Sequence, residues 1–305
     1  MNGFGWARYA TIGVAVVLAL GGCQLQRSGD GSGDGNQAGG SGDKPAEQAT
    51  EVRVDRSFWH RGFKTTLGTA KVLPAKDGKP PVVTIEATFQ NLSPEYDSDP
   101  TSYMMLTVGN RTYAEVSSDY LEVPGVPAQR SQPGVLAFKV DEHFVLADAV
   151  LVVGKPDGQQ ASVPLGRPEG LVALEPRPFA ITGKVTWDER GTFFMSVESG
   201  ELRTDYPRTH QQAPTGKEFF KLNFSATNNS NAGMAIVFDN ELTLKLPDGT
   251  RVGYDGTCSR AQIWPEPHST ATGGVACFLV PAPASGTYTL IWDNYEKGAL
   301  KIPVS

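Results

Sequence analysis

A repeat inside the chain constrains its fold more than any other feature. Trp59-His60-Arg61-Gly62 is echoed by Trp187-Asp188-Glu189-Arg190-Gly191, and Leu67-x-x-Ala70-x-Val72 by Val197-x-x-Gly200-x-Leu202. Ile85-Glu86-Ala87-Thr88 matches Phe224-Ser225-Ala226-Thr227, and each is followed by an Asn-containing turn, Gln90-Asn91 and Asn228-Asn229. The clearest pair is Gly134-Val135-Leu136-Ala137-Phe138-Lys139-Val140 against Gly274-Val275-Ala276-Cys277-Phe278-Leu279-Val280. The last is Val163-Pro164-Leu165 against Ile302-Pro303-Val304. Matches that keep one order, with gaps only in between, point to two copies of one domain.

Each copy reads as strands. Val83-x-Ile85-x-Ala87-x-Phe89 alternates with Thr84, Glu86 and Thr88, the period-two pattern of a half-buried strand, and Leu222-x-Phe224-x-Ala226 does the same in the second copy. Leu242 to Leu246 runs into Pro247-Asp248-Gly249, where Pro fixes φ and Gly accepts φ > 0. Further strands are expected at Thr250–Tyr254, Tyr288–Trp292 and Leu300–Val304, and neither copy offers a long amphipathic helix. With 34 Gly and 22 Pro the chain is turn-rich, and 14 Phe within 39% hydrophobic residues suffice for real cores. The expected fold is all-β: two tandem immunoglobulin-like antiparallel β-sandwiches, residues 54–166 and 179–305. A Pro-rich connection, 167–178, joins them, and its Leu171-Val172-Ala173-Leu174 is expected to pack on a domain.

Ahead of the repeat, residues 1–22 read as an export signal: Arg8, then an apolar run from Ala10 to Leu20. That run falls short of the ~20 residues a spanning helix needs. Leu20-Gly21-Gly22-Cys23 resembles the lipobox of bacterial lipoproteins, which implies lipidation of Cys23, cleavage before it, and a tether to the membrane without spanning it. Residues 23–53 carry Ser-Gly-Asp-Gly-Ser-Gly-Asp-Gly and almost no hydrophobics, the composition of a flexible stalk. The expected location is the cell membrane, lipid-anchored on its extracytoplasmic side.

Three cysteines are present. Beside Cys23, the pair Cys258 and Cys277 is even in number in an exported chain, and a disulfide is expected. Lys139 must face solvent, so Leu136, Phe138 and Val140 face the core. By the same parity Ala276, Phe278 and Val280 point inward and Cys277 outward. The bridge is therefore expected on an outer face or sandwich end beside solvent-facing residues, not between the sheets.

The order of elements resembles that of secreted immunoglobulin-like domains of unknown function found, singly or in tandem, in bacterial lipoproteins and related immunoprotective antigens. The shared order is an Asn turn after the core strand, a Pro/Gly-punctuated middle, Gly-x-x-x-Phe-x-Val and a final hairpin. The resemblance implies fold and location. It brings no catalytic residues.

No catalytic motif is present: there is no Gly-x-Ser-x-Gly elbow, no His-Glu-x-x-His and no phosphate-binding loop, and His60, His143, His210 and His268 are scattered. Neither a cofactor nor a metal is expected. Asp97-Ser98-Asp99 with Glu95 is weighed as a calcium loop and read as solvated, and Met104, Met105, Met195 and Met234 as core filler. A net charge of −6 argues against nucleic acid. The best contact surface is the loop of Ile263, Trp264, Pro265 and His268, between the two cysteines, with Leu121–Pro127 in the corresponding place of the first copy. Trp264 is expected to cap the sandwich end, with a partner-binding tip as the competing reading. The expected function is a non-catalytic, lipid-anchored binding module of the cell envelope, its partner another envelope protein or a glycan. Two alternatives are a metal- or small-ligand-scavenging lipoprotein and an accessory subunit of an envelope complex.

Overall fold

The computed structural model describes residues 50–100, 103–115, 121–233, 236–237, 241–258, 262–292 and 295–305. Cys23, the signal and the tether up to residue 49 lie outside them. The described residues belong to one compact unit. The described chain is all-β, and its only helical turns are short 3₁₀ segments.

The first half holds β1 (Glu51–His60), β2 (Phe63–Leu73), β3 (Val82–Asn91), β4 (Met104–Val108), β5 (Arg111–Ala114), β6 (Ser131–Lys139), β7 (Val150–Val153) and β8 (Ala161–Pro164). They form two antiparallel sheets, ordered β1-β2-β3-β6 and β5-β4-β7-β8. The second half begins with β9 (Arg177–Phe179), β10 (Gly183–Thr186), β11 (Phe193–Arg203), β12 (Asp205–Tyr206), β13 (Gln211–Gln212) and β14 (Lys217–Asn228). It continues with β15 (Ile236–Val237), β16 (Leu242–Lys245), β17 (Arg251–Gly253), β18 (Gln262–Ile263), β19 (Ser269–Pro281), β20 (Gly286–Trp292) and β21 (Leu300–Val304). Its main sheets are β10-β11-β14-β19, with β9 also on β11, and β17-β16-β20-β21; β12-β13 and β15-β18 are two-stranded ribbons.

The two halves share one topology: β2, β3 and β6 correspond to β11, β14 and β19, and β5-β4-β7-β8 to β17-β16-β20-β21. With β1 set aside, seven strands remain in the first half, distributed as in a constant-type immunoglobulin sandwich except that the fourth pairs with the third. A separate hydrophobic core fills each half. Phe58, Phe89 and Phe138 are fully buried in the first, and Phe220, Phe224, Phe278 and Trp292 in the second.

The repeated motifs mark where the backbone departs from regular pairing. Leu67 and Ala70 are both buried although three residues apart, a spacing that ordinary alternation forbids. A register shift between them against β3 restores the parity, and β11 shifts between Val197 and Ser199 against β14. Gly134 and Gly274 lie where a crossing segment runs tight over the sheet. A Cβ on Gly134 would strike the Glu122 carbonyl and the Phe89 ring, and one on Gly274 would strike Ile263 and the Phe224 ring.

Asn91 and Asn228, both fully buried, end β3 and β14 identically. The Asn91 amide donates to the carbonyls of Tyr96 and Val126, each at 2.9 Å, while its oxygen accepts from Ser93 N. The Asn228 amide donates to Ala232 (2.8 Å) and Pro265 (3.2 Å), and its oxygen accepts from Ser230 N. Each side chain ties the strand end to two loops.

The connection between the halves belongs to both. Val172 pairs with Ser162 beside β8, Trp59 N donates to Ala173 O at 2.8 Å, and Leu174 packs on the first core, while the side chains of Leu171 and Val172 stay exposed. The segment thereby spans the gap between the two sheets of the first half. Pairing also extends into stretches expected as tether and linker: β1 starts at Glu51 and β9 at Arg177.

Asn91→Ala and Asn228→Ala each remove at least three hydrogen bonds of a buried side chain, two given to loop carbonyls and one accepted from a loop N–H, at ~0.5–1.5 kcal/mol apiece. Each variant is expected to lose ~2–5 kcal/mol in urea unfolding followed by circular dichroism. Asn229→Ala, beside the second site and with only one long hydrogen bond of 3.4 Å to Gly191, is expected to lose under ~1 kcal/mol.

Candidate functional site

Cys258 and Cys277 are bonded, with Cα atoms 5.7 Å apart. Cys277 does point away from Ala276, Phe278 and Val280, which lie in the main core. The expectation that this outer face is solvent is corrected: both cysteines are fully buried. The reason is an excursion between β11 and β14, residues 204–216, that folds over the outer face of β14 and β19. Tyr206 and Ala213 from this excursion, Phe219 and the disulfide form a third, small core, with Leu279 packed against it.

The same excursion receives the first half. His60-Arg61-Gly62-Phe63 is a two-residue hairpin turn with φ of 47° at Arg61 and 75° at Gly62, the left-handed pair of a type I′ turn. Gly62 N donates to Asp205 Oδ2, and Arg61 N to Gln212 Oε1 at 3.0 Å. Arg61 Nε reaches the His210 carbonyl (3.1 Å), and His210 Nδ1 lies 3.0 Å from the Arg61 carbonyl with its ring stacked on Phe63. The main chain of the turn is thus held at both of its N–H groups and one carbonyl.

Asp205, fully buried, is held in turn by its own half. Arg203 donates to it from Nε (3.0 Å) and Nη2 (2.8 Å), and Arg203 Nη1 and Lys221 Nζ both meet Glu201 Oε1. Burial alone would raise the Glu201 carboxyl; Lys221 and Arg203 outweigh it and hold the group below the usual carboxylate range. Two further ties flank the turn. Arg208 pairs with Glu95 at 3.1 Å, and Gln159 Nε2 donates to the carbonyls of Pro214 (3.3 Å) and Lys217 (2.7 Å).

Beside this seam lies a cleft of about 370 Å³, walled by His60, Arg61, Tyr103, Gly154, Lys155 and Asp157 of the first half and by Gln212, Ala213 and Pro214 of the second. His60 is 6% exposed. Burial first, and the neighbouring Arg61 charge second, lower its pKa to about 4.

Ile263, Trp264, Pro265 and His268 stand at the far end of the second half. Ile263 and Pro265 are buried, Pro265 O accepts from Asn228, and His268 Nε2 meets Asn231 Oδ1 at 2.8 Å. Trp264 is 61% exposed, so the expectation that it caps the sandwich end is corrected: Ile263 fills that position and the indole projects outward. In the first half Val126 takes the place of Pro265, accepting from Asn91.

The acidic loop serves its own backbone: Asp97 Oδ1 accepts from Ala128 N at 2.9 Å, and Ser98 pairs with Val126. Among the described residues no group of three or more His, Cys, Asp or Glu side chains is placed to hold a metal, and no helix is long and apolar enough to cross a membrane. Cys23 lies outside the described residues. Sequence reasoning missed the seam. Its one signal was the extra length between β11 and β14, carrying Asp205 and His210, where the first copy has only a short hairpin.

No protein-family model matches the chain, and no curated protein matches it. A crystal structure of a conserved hypothetical protein from Bacillus anthracis is similar at 11% identity and a TM-score of 0.35, covering 44% of this chain and 100% of that one.

Gly62→Ala places a Cβ 2.8 Å from Pro207 Cα in a left-handed backbone, whereas Gly78, at φ 74°, has nothing within 4 Å. Both substitutions carry the backbone penalty of ~1–2 kcal/mol. Only Gly62→Ala is expected to split thermal unfolding into two transitions in calorimetry, because only it strikes the second half. Removing the disulfide, whose cysteines are 19 residues apart, is expected to cost ~3 kcal/mol. Urea midpoints with and without reductant give this cost.

Proposed function

We propose that this chain is a lipid-anchored, extracytoplasmic and non-catalytic interaction module of the bacterial envelope, tethered through Cys23 and contacting a partner through the tip around Trp264. The observation that carries the reading is the exposure of Trp264 between two buried neighbours. A large aromatic side chain held outward by a fixed backbone carries little ordering cost on binding and is a favoured anchor.

Strand polarity supports the placement. β1 enters at Glu51 and reaches the seam at His60, while β14 leaves the seam at Lys217 and ends at Asn228, beside the Trp264 segment. Each strand runs roughly 30–40 Å. The tip therefore lies at the end of the second half remote from the seam, and the chain enters the first half at its own remote end. A partner engaged at Trp264 would be met away from the lipid anchor.

A second reading, capture of a small ligand, draws on the cleft at the seam. Its volume falls within the ~300–1,000 Å³ of ligand pockets, and junctions between domains are common places for them. A thermal-shift screen of the detergent-solubilised chain against metals, glycans and small envelope metabolites tests it. A ligand at 100 times its Kd adds ~2.7 kcal/mol.

Two measurements test the main reading. Cys23→Ser is expected to move the chain from the membrane fraction to the soluble extracytoplasmic fraction; retention in the membrane would overturn the anchor. A photo-crosslinking residue at position 264 is expected to trap a discrete adduct in cells that the same residue at position 78 does not, and equal patterns at both positions would overturn the tip. Trp264→Ala is expected to abolish the interaction while shifting stability by under ~0.5 kcal/mol, as for exposed positions generally.

A further inference from the structure

We infer that the cleft at the seam takes a small organic carboxylate that carries a hydroxyl or ammonium donor beside its acid group. Arg61 and Lys155 would hold the carboxylate, and Asp157 the donor. The inference rests on the second reading above, capture of a small ligand in this cleft, and names that ligand's chemistry. Three charged side chains reach the cleft from two hairpin turns. Arg61 comes from the β1–β2 turn. Lys155 and Asp157 come from the β7–β8 connection, Gly154-Lys155-Pro156-Asp157-Gly158, where Pro156 sets φ and Gly158 N closes the turn on Lys155 O at 3.0 Å. All three are exposed.

Their charged ends are uncommitted. Among the described residues the Arg61 Nη groups, the Lys155 ammonium and the Asp157 carboxylate have no hydrogen-bond or ion-pair partner. Two cations and one carboxylate around one cavity leave an excess of positive charge. Gln212 adds to it. Its oxygen is taken by Arg61 N, and its amide nitrogen, buried and without an acceptor among the described residues, leaves the positive end of a dipole in the same wall. An anion is therefore favoured there. Asp157 restricts which anion, because a carboxylate on the same rim repels a second negative charge and accepts from a donor. The cleft's volume of about 370 Å³ lies at the low end for ligand pockets, room for one small molecule, and half-exposed Tyr103 offers its carbon skeleton an apolar wall.

The backbone that carries these groups is already fixed by the seam. Gly158 pairs with Pro214, Thr215 Oγ1 donates to the Asp157 carbonyl at 2.8 Å, and Gly154 N donates to the Tyr103 carbonyl at 2.8 Å. Arg61 N is held by Gln212, and Arg61 Nε by the His210 carbonyl at 3.1 Å, which leaves the two Nη groups as the open side of the guanidinium. A planar guanidinium suits a carboxylate through paired N–H···O bonds, with Lys155 acting as a point charge. Because the main chain is ordered beforehand, binding costs only the freedom of a few side chains.

Isothermal titration calorimetry of the full chain in detergent at low salt tests the site with four probes, each up to about 10 mM. Glucuronate supplies a carboxylate with hydroxyl donors and glutamine a carboxylate with an ammonium. Glucose has the hydroxyls without the acid, and putrescine is a cation without it. At least one of the two acids is expected to bind, and glucose and putrescine are not. Arg61→Gln and Lys155→Gln should each weaken that binding ~tenfold or more, the worth of one charge-assisted contact. Lys76→Gln removes the same charge at the far end of β2 and should leave binding unchanged. Asp157→Asn separates the two donors: an ammonium ligand weakens ~tenfold, a hydroxyl ligand under ~threefold, because the amide oxygen still accepts. Should Arg61→Gln lower the midpoint of the unliganded chain, Lys155→Gln decides, its side chain having no partner among the described residues to lose. Acid binding undiminished in Lys155→Gln overturns the inference. Binding of glucose or putrescine but of neither acid also overturns it, and leaves the small-ligand reading standing. Binding of none of the four overturns it as well, while that reading falls only if the broad thermal-shift screen is empty too.

Discussion

Asp205 is the residue on which the two halves depend together. One carboxylate oxygen accepts from Arg203, inside the second half, and the other accepts from the Gly62 amide of the first. A buried carboxylate is tolerated only when its charge is met and its lone pairs are filled, and here Arg203, backed by Glu201 and Lys221, meets the charge. The seam is thus an extension of an ion network that the second half needs on its own account. The first half contributes main-chain groups in return. Because a type I′ turn exposes its N–H groups at the hairpin tip, recognition rests on backbone shape and leaves the Arg61 side chain to reach the His210 carbonyl.

The same excursion explains the disulfide. Residues 204–216 need a surface to lie on, and the outer face of β14 and β19 supplies one through Phe219 and Cys277. Covering that face converts an exposed cystine into the centre of a satellite core with Tyr206 and Ala213. One insertion therefore does two jobs, burying the bridge below and gripping the neighbouring half above. A crosslink from Cys258 to Cys277 stiffens the platform on which the grip is built.

Much of the fold was legible because the repeat carried physical requirements. Leu67-x-x-Ala70 and Val197-x-x-Gly200 kept a spacing that only a bulge makes compatible with burial, and Gly134 and Gly274 kept the space for a crossing segment. Parity along β19 gave the face of Cys277 correctly. What parity could not give was the cover on that face, since a period-two pattern distinguishes core from non-core and is silent on whether non-core meets water or another segment. Trp264 failed for a related reason. An apolar residue in a loop reads as a cap, yet two neighbours, Ile263 and Pro265, compete for the same end of the sandwich, and alternation leaves the middle residue outside. His60 and His210 stand 150 positions apart in the chain, and nothing in either local sequence tells that one turn joins them.

The contrast between the two Asn-closed ends carries the functional argument further. In the first half that end is occupied: Leu92 N meets the Gly62 carbonyl, Ser93 and Glu95 face Arg208, and the excursion of the second half sits against them. In the second half the equivalent end shows Trp264 outward and the His268–Asn231 pair beside it. The first half's counterpart of the excursion is the short Lys76–Lys79 hairpin. The insertion at residues 204–216 is what distinguishes the two ends: it covers the Asn91 end of the first half, while Trp264 stays exposed at the Asn228 end of the second.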